Sequence, residues 1–316
     1  MSLVSIPANP VPEGAIDGRI RSADGVELRF ARWPLQAGRK RKGTVCVFPG
    51  RAEMIEKYFE VVAELRERGF AVAVLDWRGQ GGSSRPVGDP RKGHVRDFSE
   101  YQCDLEAFMR QIVLPDCPPP YFALAHSMGS ANILRALHEE RRWFDRVVLC
   151  APMIDLKLNR WPQFTRYYTR VMAAIGFGRQ YIRGGSAVAV TNRPFANNPV
   201  SSDPVRYARI AAIIEAEPSL GLGSPTYSWV AAAFRQTDAF AEPEYPAKLH
   251  QPILMIGAGA DQLVSTNAAE KFAIRLRAGA MMVIPGSEHE IMIERDAIRA
   301  QFWAAFDAFV PGSASF

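Results

Sequence analysis

The stretch Tyr121-Phe-Ala-Leu-Ala-His-Ser-Met-Gly-Ser130 decides the fold of this 316-residue chain. Its first half is a short, continuous apolar run, which is typical of a buried strand in a parallel sheet. Its second half carries Ser127 between two small residues, Ala125 and Gly129, and a helical pattern follows over 132–140. This order follows the G-x-S-x-G pattern, with alanine in place of the first glycine. In that pattern a sharp strand-to-helix turn projects the serine hydroxyl from the edge of the sheet.

Similar apolar runs recur on both sides of this stretch and alternate with helical patterns. The predicted strands are Thr44–Phe48, Ala71–Asp76, Tyr121–Ala125, Arg146–Cys150, Ile253–Gly257 and Ala280–Ile284. Strands that alternate with helices predict an α/β fold, in which a mostly parallel sheet is covered by helices on both faces.

Local signals mark the ends of several elements. Apolar periodicity predicts helices over Tyr58–Arg68, Ser99–Ile112 and Leu263–Leu276. Gly69 is expected to end the first of these helices, and Ser99 is a candidate N-cap for the second. Near the N-terminus, the dipeptide Asp24-Gly25 predicts a β-hairpin.

The alternation of strands and helices stops between residues 153 and 246. This segment has helical aromatic patterns and loops rich in glycine, asparagine and proline. We therefore predict a core formed by residues 1–152 and 247–316, with a mainly helical cap at 153–246 inserted into it.

A serine nucleophile needs a base and an acid that orients it. His289 follows the last predicted strand, at the end where active sites of open α/β sheets collect, and it is the preferred base. Asp261 follows the strand before it and is the preferred acid, with Asp155 as an alternative. Of the other histidines, His126, His138 and His250 are predicted to lie elsewhere, and His94 is expected to pack its own loop or to line the pocket.

Acyl transfer also requires donors for the developing oxyanion. The backbone N–H of Met128, directly after Ser127, is the first candidate. The second is the backbone N–H of Arg51, because Gly50 lets that loop approach the reacting group closely.

Four stretches carry a family resemblance: Pro49–Glu53, Asp76–Ser83, Ala125–Ser130 and Glu288–Glu290. Together with the chain order Ser127, Asp261, His289, they resemble the monoacylglycerol lipase and lysophospholipase branch of the α/β hydrolases, a serine aminopeptidase S33-type domain. The sequence departs from the family pattern at Pro49, where the family has histidine, and at Ala125 and Ser130, where it has glycine.

The resemblance implies an α/β-hydrolase fold and hydrolysis of one carboxylic ester of a single-chain lipid through an acyl-enzyme on Ser127. No metal or organic cofactor is implied. The alternatives are a small-ester esterase, a peptidase or an acyltransferase on the same residues, or a non-catalytic binding protein. Cap aromatics either line an acyl channel or form the cap's own core: Trp161, Phe164, Tyr168 and Trp229. The Arg51 side chain is expected to be exposed or paired with Glu53, unless it meets a phosphate head group.

Composition limits the kinds of partner that the protein is expected to bind and the compartment in which it is expected to be found. The net charge is +5, and no nucleic-acid motif interleaves basic with aromatic residues. The basic run 39–42 is expected to be a solvated loop or to attract anionic lipid weakly. The four cysteines have no metal-ligand spacing, no signal peptide is expected, and no apolar run reaches the ~18 residues that a membrane span requires. A cytoplasmic protein is predicted, with transient contact to a membrane surface left open.

Overall fold

The computed structural model describes residues 2–157, 162–189, 194–196 and 198–310. The strands are β1 Ile16–Arg21, β2 Glu27–Trp33, β3 Gly43–Phe48, β4 Phe70–Leu75, β5 Tyr121–His126, β6 Arg146–Cys150, β7 Ile253–Ala258 and β8 Gly279–Ile284. The α-helices are α1 Phe59–Glu67, α2 Ser99–Phe108, α3 Leu114–Asp116, α4 Met128–His138, α5 Pro162–Met172, α6 Pro204–Ala216, α7 Tyr227–Ala241, α8 Thr266–Ala273 and α9 Asp296–Phe309. Short 3₁₀ or π turns lie at Ile55–Tyr58, Met109–Val113, Ala173–Phe177, Pro218–Leu220, Pro246–Lys248 and Ile291–Ile293.

In the described part of the chain the strands form one sheet in the order β1-β2-β4-β3-β5-β6-β7-β8. The hairpin β1–β2 is antiparallel, and β2 pairs antiparallel with β4, whereas all later pairs are parallel. The hairpin predicted at Asp24-Gly25 is confirmed, with Gly25 at φ 85°. The six predicted strands are confirmed to within one residue at each end, but β8, at the edge of the sheet, is only partly buried.

The direction of each crossover places the helices. The connection from β3 through α1 to β4 runs one way along the sheet, and those through α4 and α8 run the other way. Because such crossovers are right-handed, α1 lies on the opposite face from α4 and α8. Helix α9 shares the face of α1, since Arg68 pairs with Asp307 and Phe306 packs edge-on against Phe70. The strand order reverses at β3, so a crevice opens there at the carboxyl ends of the strands.

Two predicted helix starts need correction. The N-cap position of α2 is Phe98, not Ser99, and the backbone N–H of Ser99 donates to Asp97 Oδ1 at 2.9 Å. Helix α8 starts at Thr266 rather than at Leu263, because the Ser265 side chain caps it by accepting from the backbone of residue 268. The end predicted for α1 is confirmed, with Gly69 at φ 92° just beyond it.

The segment proposed as a cap lies in the chain between β6 and β7 and contributes α5, α6 and α7. Helix α5 packs on α7, which in turn contacts the core through Trp229. No helix in the described ranges combines the length and apolar character needed to cross a lipid bilayer.

A buried ionic cluster joins β2 to the loop after β4. Arg29 is fully buried and pairs with Glu56 at 2.7 Å and Asp76 at 2.6 Å. Asp76 also accepts from the backbone N–H of Ile55 and Gly82. A Cβ on Gly81 would lie 2.2 Å from the carboxyl carbon of Asp76. The motif Asp76–Ser83 is therefore a structural turn built around one carboxylate.

Replacing Arg29 with methionine should lower the free energy of unfolding by about 3–5 kcal/mol, because two buried carboxylates lose their cation. Urea denaturation measures this change. The control is Arg19→Met, which removes a pair whose side chains are 34% and 42% exposed and should cost less than about 1 kcal/mol. Equal losses in both variants would show that the buried cluster contributes no more than a surface pair.

Candidate active site

Ser127 occupies the sharp turn between β5 and α4. Its backbone has φ 49° and ψ −115°, a left-handed conformation that non-glycine residues rarely adopt. The backbone N–H of Ser127 donates to the carbonyl of Cys150 on β6, which holds the turn against the sheet. A Cβ on Gly129 would lie 2.3 Å from the carbonyl oxygen of Phe48. Only glycine at this position lets the elbow approach the end of β3 so closely.

The two departures from glycine around the elbow are accommodated. Ala125 is fully buried in the sheet. Ser130, also fully buried, donates its hydroxyl to the carbonyl of Ala125 at 3.0 Å. The extra side chain at position 130 therefore stabilises the turn by a hydrogen bond within the elbow.

The structure brings Ser127, His289 and Asp261 into one hydrogen-bonded chain. Ser127 Oγ lies 3.0 Å from His289 Nε2, and His289 Nδ1 lies 2.7 Å from Asp261 Oδ2. The three residues are 9%, 4% and 3% exposed, respectively. The arrangement can transfer a proton from the hydroxyl to an imidazole whose tautomer is fixed by the carboxylate.

The environment of Asp261 favours its ionised form. Its Oδ1 accepts from the backbone N–H groups of Leu263 at 2.8 Å and Val264 at 2.9 Å. Burial acts to raise the pKa of Asp261, but the hydrogen bond and charge of His289 and these N–H groups together lower the pKa below its ordinary value.

The alternative acid, Asp155, lies in a different environment. Its carboxylate accepts from Arg166 at 2.6 Å and from the backbone of Leu156 at 2.8 Å. The side chain is 40% exposed. Because the carboxylate that is hydrogen-bonded to His289 belongs to Asp261, the geometry favours Asp261 as the acid.

The remaining histidines have other partners. His94 Nδ1 lies 3.0 Å from the hydroxyl of Thr226, and His138 stacks on Tyr245 with ring centroids 3.9 Å apart. His250 is exposed. His126 is buried directly behind the site, and its surroundings reveal a feature that the sequence reasoning missed.

That feature is the buried carboxylate of Glu53. Its Oε1 accepts from His126 Nδ1 at 2.7 Å and from Lys57 Nζ at 2.8 Å. Its Oε2 accepts from the Tyr58 hydroxyl at 2.5 Å and from the backbone N–H of Gly50. From the sequence, Glu53 was named only in the family motif and as an expected partner of Arg51. Three of its four donors lie within five residues of it in the chain, and only His126 is distant.

His126 links this carboxylate to the base. Its Nε2 lies 3.1 Å from the backbone carbonyl of His289. A carbonyl only accepts, so this nitrogen carries a proton, and Nδ1 donates to ionised Glu53. Burial acts to lower the pKa of His126, but the charge of Glu53 outweighs it and raises the pKa above its ordinary value. His126 is therefore a buried imidazolium.

The loop after β3 is supported without the family's histidine. Trp77 Nε1 donates to the carbonyl of Pro49 at 2.9 Å, and Gln80 Nε2 donates to the carbonyl of Gly50 at 2.7 Å. Both donors belong to the turn that follows β4. Within the described residues, the backbone N–H groups of Arg51 and Met128 donate to no protein acceptor. They are available to a ligand.

The Arg51 side chain does not pair with Glu53, so that expectation is wrong. Its guanidinium lies over the ring of Trp229, 5.3 Å from the centroid, and donates to the carbonyl of Gly223. The reason is that Glu53 is already saturated by four donors from other residues. Arg51 instead reaches from its loop to the cap.

A cavity of about 400 Å³ lies beneath the cap helices. Its lining is largely apolar and includes Tyr168, Tyr227, Trp229, Val230, Phe234, Ile182, Leu156 and Leu263. Of the predicted cap aromatics, Tyr168 and Trp229 line this cavity. Phe164 is 64% exposed and stacks on the outer side of Tyr168, 5.9 Å away. Trp161 lies outside the described residues.

One part of the cap is bonded to the segment that carries His289. The backbone N–H of Glu290 donates to the carbonyl of Val200 at 2.7 Å. Nearby, the Ser201 hydroxyl donates to the carbonyl of Ile293 at 2.9 Å, and the Ser202 hydroxyl donates to Glu294. The base is thus attached to the core through His126 and to the cap through residue 200.

Comparison with known proteins adds the family context. The model of the family described as serine aminopeptidase, S33, matches residues 39–296. Lysophospholipase L2 of Escherichia coli strain K12 is 32% identical over 298 residues, covering 90% of this chain and 84% of that protein. A probable lysophospholipase L2 of Haemophilus influenzae is 26% identical, covering 83% of this chain and 81% of that protein.

Among solved structures, a soluble variant of monoglyceride lipase from Saccharomyces cerevisiae, in complex with a substrate analog, superimposes with a TM-score of 0.76. The two chains are 19% identical, and the alignment covers 95% of each. At this identity the likeness shows the fold alone, and it confirms the predicted α/β-hydrolase architecture.

Replacing Gly129 with alanine should displace the elbow, because the new Cβ overlaps the carbonyl of Phe48. We expect labelling of Ser127 by a fluorophosphonate probe to slow by about 100-fold, the cost of a misplacement near 1 Å. The control is Gly88→Ala, where no atom lies within 4 Å of the added Cβ, and labelling should be unchanged. Wild-type labelling of the Gly129 variant would show that the elbow has room for a methyl group.

Proposed function

The chain belongs to the serine aminopeptidase S33 family of α/β hydrolases, and we propose that it hydrolyses the carboxylic ester of a lysophospholipid or monoacylglycerol. The observation that carries the reaction type is the hydrogen-bonded chain from Ser127 through His289 to Asp261. The lipid substrate is supported by the lysophospholipase relatives and by the apolar cavity beneath the cap.

The first half of the reaction forms an acyl-enzyme. His289 Nε2 accepts the proton of Ser127 as its oxygen attacks the ester carbonyl. The backbone N–H groups of Met128 and Arg51 stabilise the negative charge that develops on the carbonyl oxygen. The protonated His289 then transfers its proton to the departing glycerol oxygen, and the carbon–oxygen bond breaks.

The second half regenerates the enzyme. His289 removes a proton from water, which attacks the acyl carbon, and the serine oxygen then leaves with that proton. Asp261 stays ionised throughout and stabilises the imidazolium. The backbone N–H groups of Leu263 and Val264 occupy Oδ1 of Asp261, so Oδ2 is the oxygen that accepts from His289.

The cap cavity is the proposed acyl site. Tyr168 and Trp229 form parts of its wall, and their rings match the apolar surface of a fatty acyl chain. Phe164, Tyr167 and Ile175 are exposed in the same cap segment. Transient contact of this segment with a lipid surface and a cytoplasmic location belong to the proposal.

Ser127→Ala should abolish hydrolysis and fluorophosphonate labelling, since no other described residue donates to His289 Nε2. The measurement is a panel with one acyl chain carried by lysophosphatidylglycerol, monoacylglycerol, a p-nitrophenyl ester and a prolyl amide. We expect the wild type to prefer the two lipids. A preference for the amide or the small ester would contradict the proposed lipid substrate. Persistent labelling of the variant would show that the nucleophile is another residue.

Asp261→Asn should lower kcat by roughly 10⁴, because the imidazole loses the partner that fixes its tautomer. Asp155→Asn is the matched control and should change kcat little, since its carboxylate pairs with Arg166. Initial rates on the monoacylglycerol measure both. A large loss in the control with a small one at position 261 would reassign the acid.

A further inference from the structure

The guanidinium of Arg51 is a partly buried cation with no carboxylate within salt-bridge distance among the described residues. Its hydrogen-bond acceptor in the protein is one carbonyl, that of Gly223. Its Nε is fully buried and has no partner. By contrast, Arg29 and Arg78, which are also buried, each pair with two or more acidic side chains.

Arg85 offers a close comparison. It too is a partly buried arginine, and burial lowers the pKa of both Arg51 and Arg85 to about 10. Arg85, however, donates to three carbonyls, those of Gly79, Gly81 and Ser219. Its charge is compensated by oriented backbone dipoles, whereas most donors of Arg51 lack an acceptor. An unpaired buried cation is costly, and a bound anion would remove that cost.

Arg51 extends its side chain from the loop after β3 to a wall residue of the cap cavity. Its backbone N–H is the proposed oxyanion donor, and its guanidinium ends on Trp229, which is also a wall of the cavity. The described lining of that cavity contains two basic side chains, Lys157 and Arg183, and no acidic one. The described lining therefore contains no carboxylate that would repel an anionic head group near Arg51.

We propose that the guanidinium of Arg51 binds the phosphate of a lysophospholipid whose ester carbonyl lies in the oxyanion hole. This inference rests on the proposed function and specifies its substrate class. A planar guanidinium binds phosphate oxygens through paired N–H donors. A neutral monoacylglycerol has no phosphate to accept these hydrogen bonds.

The lengths of the two molecules agree. In Arg51, about five atoms separate the backbone nitrogen from the guanidinium carbon. In a 1-acyl lysophospholipid, about five atoms also separate the ester carbonyl carbon from phosphorus. One residue therefore contacts both ends of the glycerol unit, the carbonyl oxygen through its main chain and the phosphate through its side chain.

The test compares 1-oleoyl lysophosphatidylglycerol with 1-oleoyl glycerol. The quantity measured is the ratio of kcat/KM for the two lipids, in the wild type, Arg51→Met and Arg51→Lys. Each variant retains the backbone N–H, and methionine retains the length of the side chain. We expect the ratio to fall about 10- to 100-fold in Arg51→Met and less in Arg51→Lys. A loss of folded protein lowers both values of kcat/KM by the same factor and leaves their ratio unchanged, because both lipids are measured on one preparation.

Arg85→Met is the matched control, since it removes another partly buried cation that also reaches the cap, and its ratio should stay at the wild-type value. An equal loss on both lipids in Arg51→Met would assign the guanidinium a purely structural role and overturn the proposal. A fall of the ratio in Arg183→Met, with none at Arg51, would place the phosphate at the cavity mouth and also overturn it.

Inhibition of p-nitrophenyl ester hydrolysis separates the head group from free phosphate. Glycerol 3-phosphate should inhibit the wild type competitively and Arg51→Met at least about 10-fold more weakly. Inhibition by inorganic phosphate alone, with an unchanged lipid ratio, would make Arg51 a site for the free anion and contradict the proposal. If the wild type hydrolyses neither lipid, the proposed function fails, and glycerol 3-phosphate inhibition still decides whether Arg51 binds phosphate.

Discussion

The buried carboxylate of Glu53 accepts hydrogen bonds from the loop after β3, from the turn at Ile55–Tyr58 and from His126, the residue before the proposed nucleophile. Through Gly50 it fixes the loop of the oxyanion donors, and through His126 it fixes the residue before Ser127. His126 continues the contact to the backbone of His289. Burial acts to raise the pKa of Glu53, but His126 and Lys57 hold the pKa well below its ordinary value. Removing either partner of such a buried ion pair would be strongly destabilising, because it would leave an uncompensated buried charge.

Sequence reasoning predicted the sheet because its strands are continuous apolar runs, and it selected Ser127, Asp261 and His289 because carboxyl ends of parallel strands meet at one edge. It erred where side chains compete with local preferences. Helix α8 does not start at Leu263, because the Ser265 side chain caps it at Thr266. Arg51 does not pair with nearby Glu53, which is filled by Lys57 and by residues 58 and 126. Of these partners only His126 is distant in the chain, and its contact with Glu53 leaves no periodic signal.

Pro49 shows how a family residue is replaced without loss of the loop it supports. A proline cannot donate, but its carbonyl still accepts from Trp77, and Gln80 takes the neighbouring carbonyl of Gly50. Both donors come from the turn organised around Asp76, which itself is paired with Arg29. The oxyanion loop is thus held by the same ionic cluster that joins β2 to the sheet.

The hydrogen bonds between residues 200–202 and the segment that carries His289 attach the backbone beside His289 to the cap as well as to the core. If the cap swung away as a rigid body, it would pull on the backbone beside His289 while His126 held that residue's carbonyl to the core. In an open molecule His289 would then be displaced from Ser127, and the reaction could not start. Ester cleavage would be confined to the closed state, with the lipid already enclosed, and surrounding esters would be spared. The inserted segment thus holds the backbone beside His289 as well as bordering the cavity.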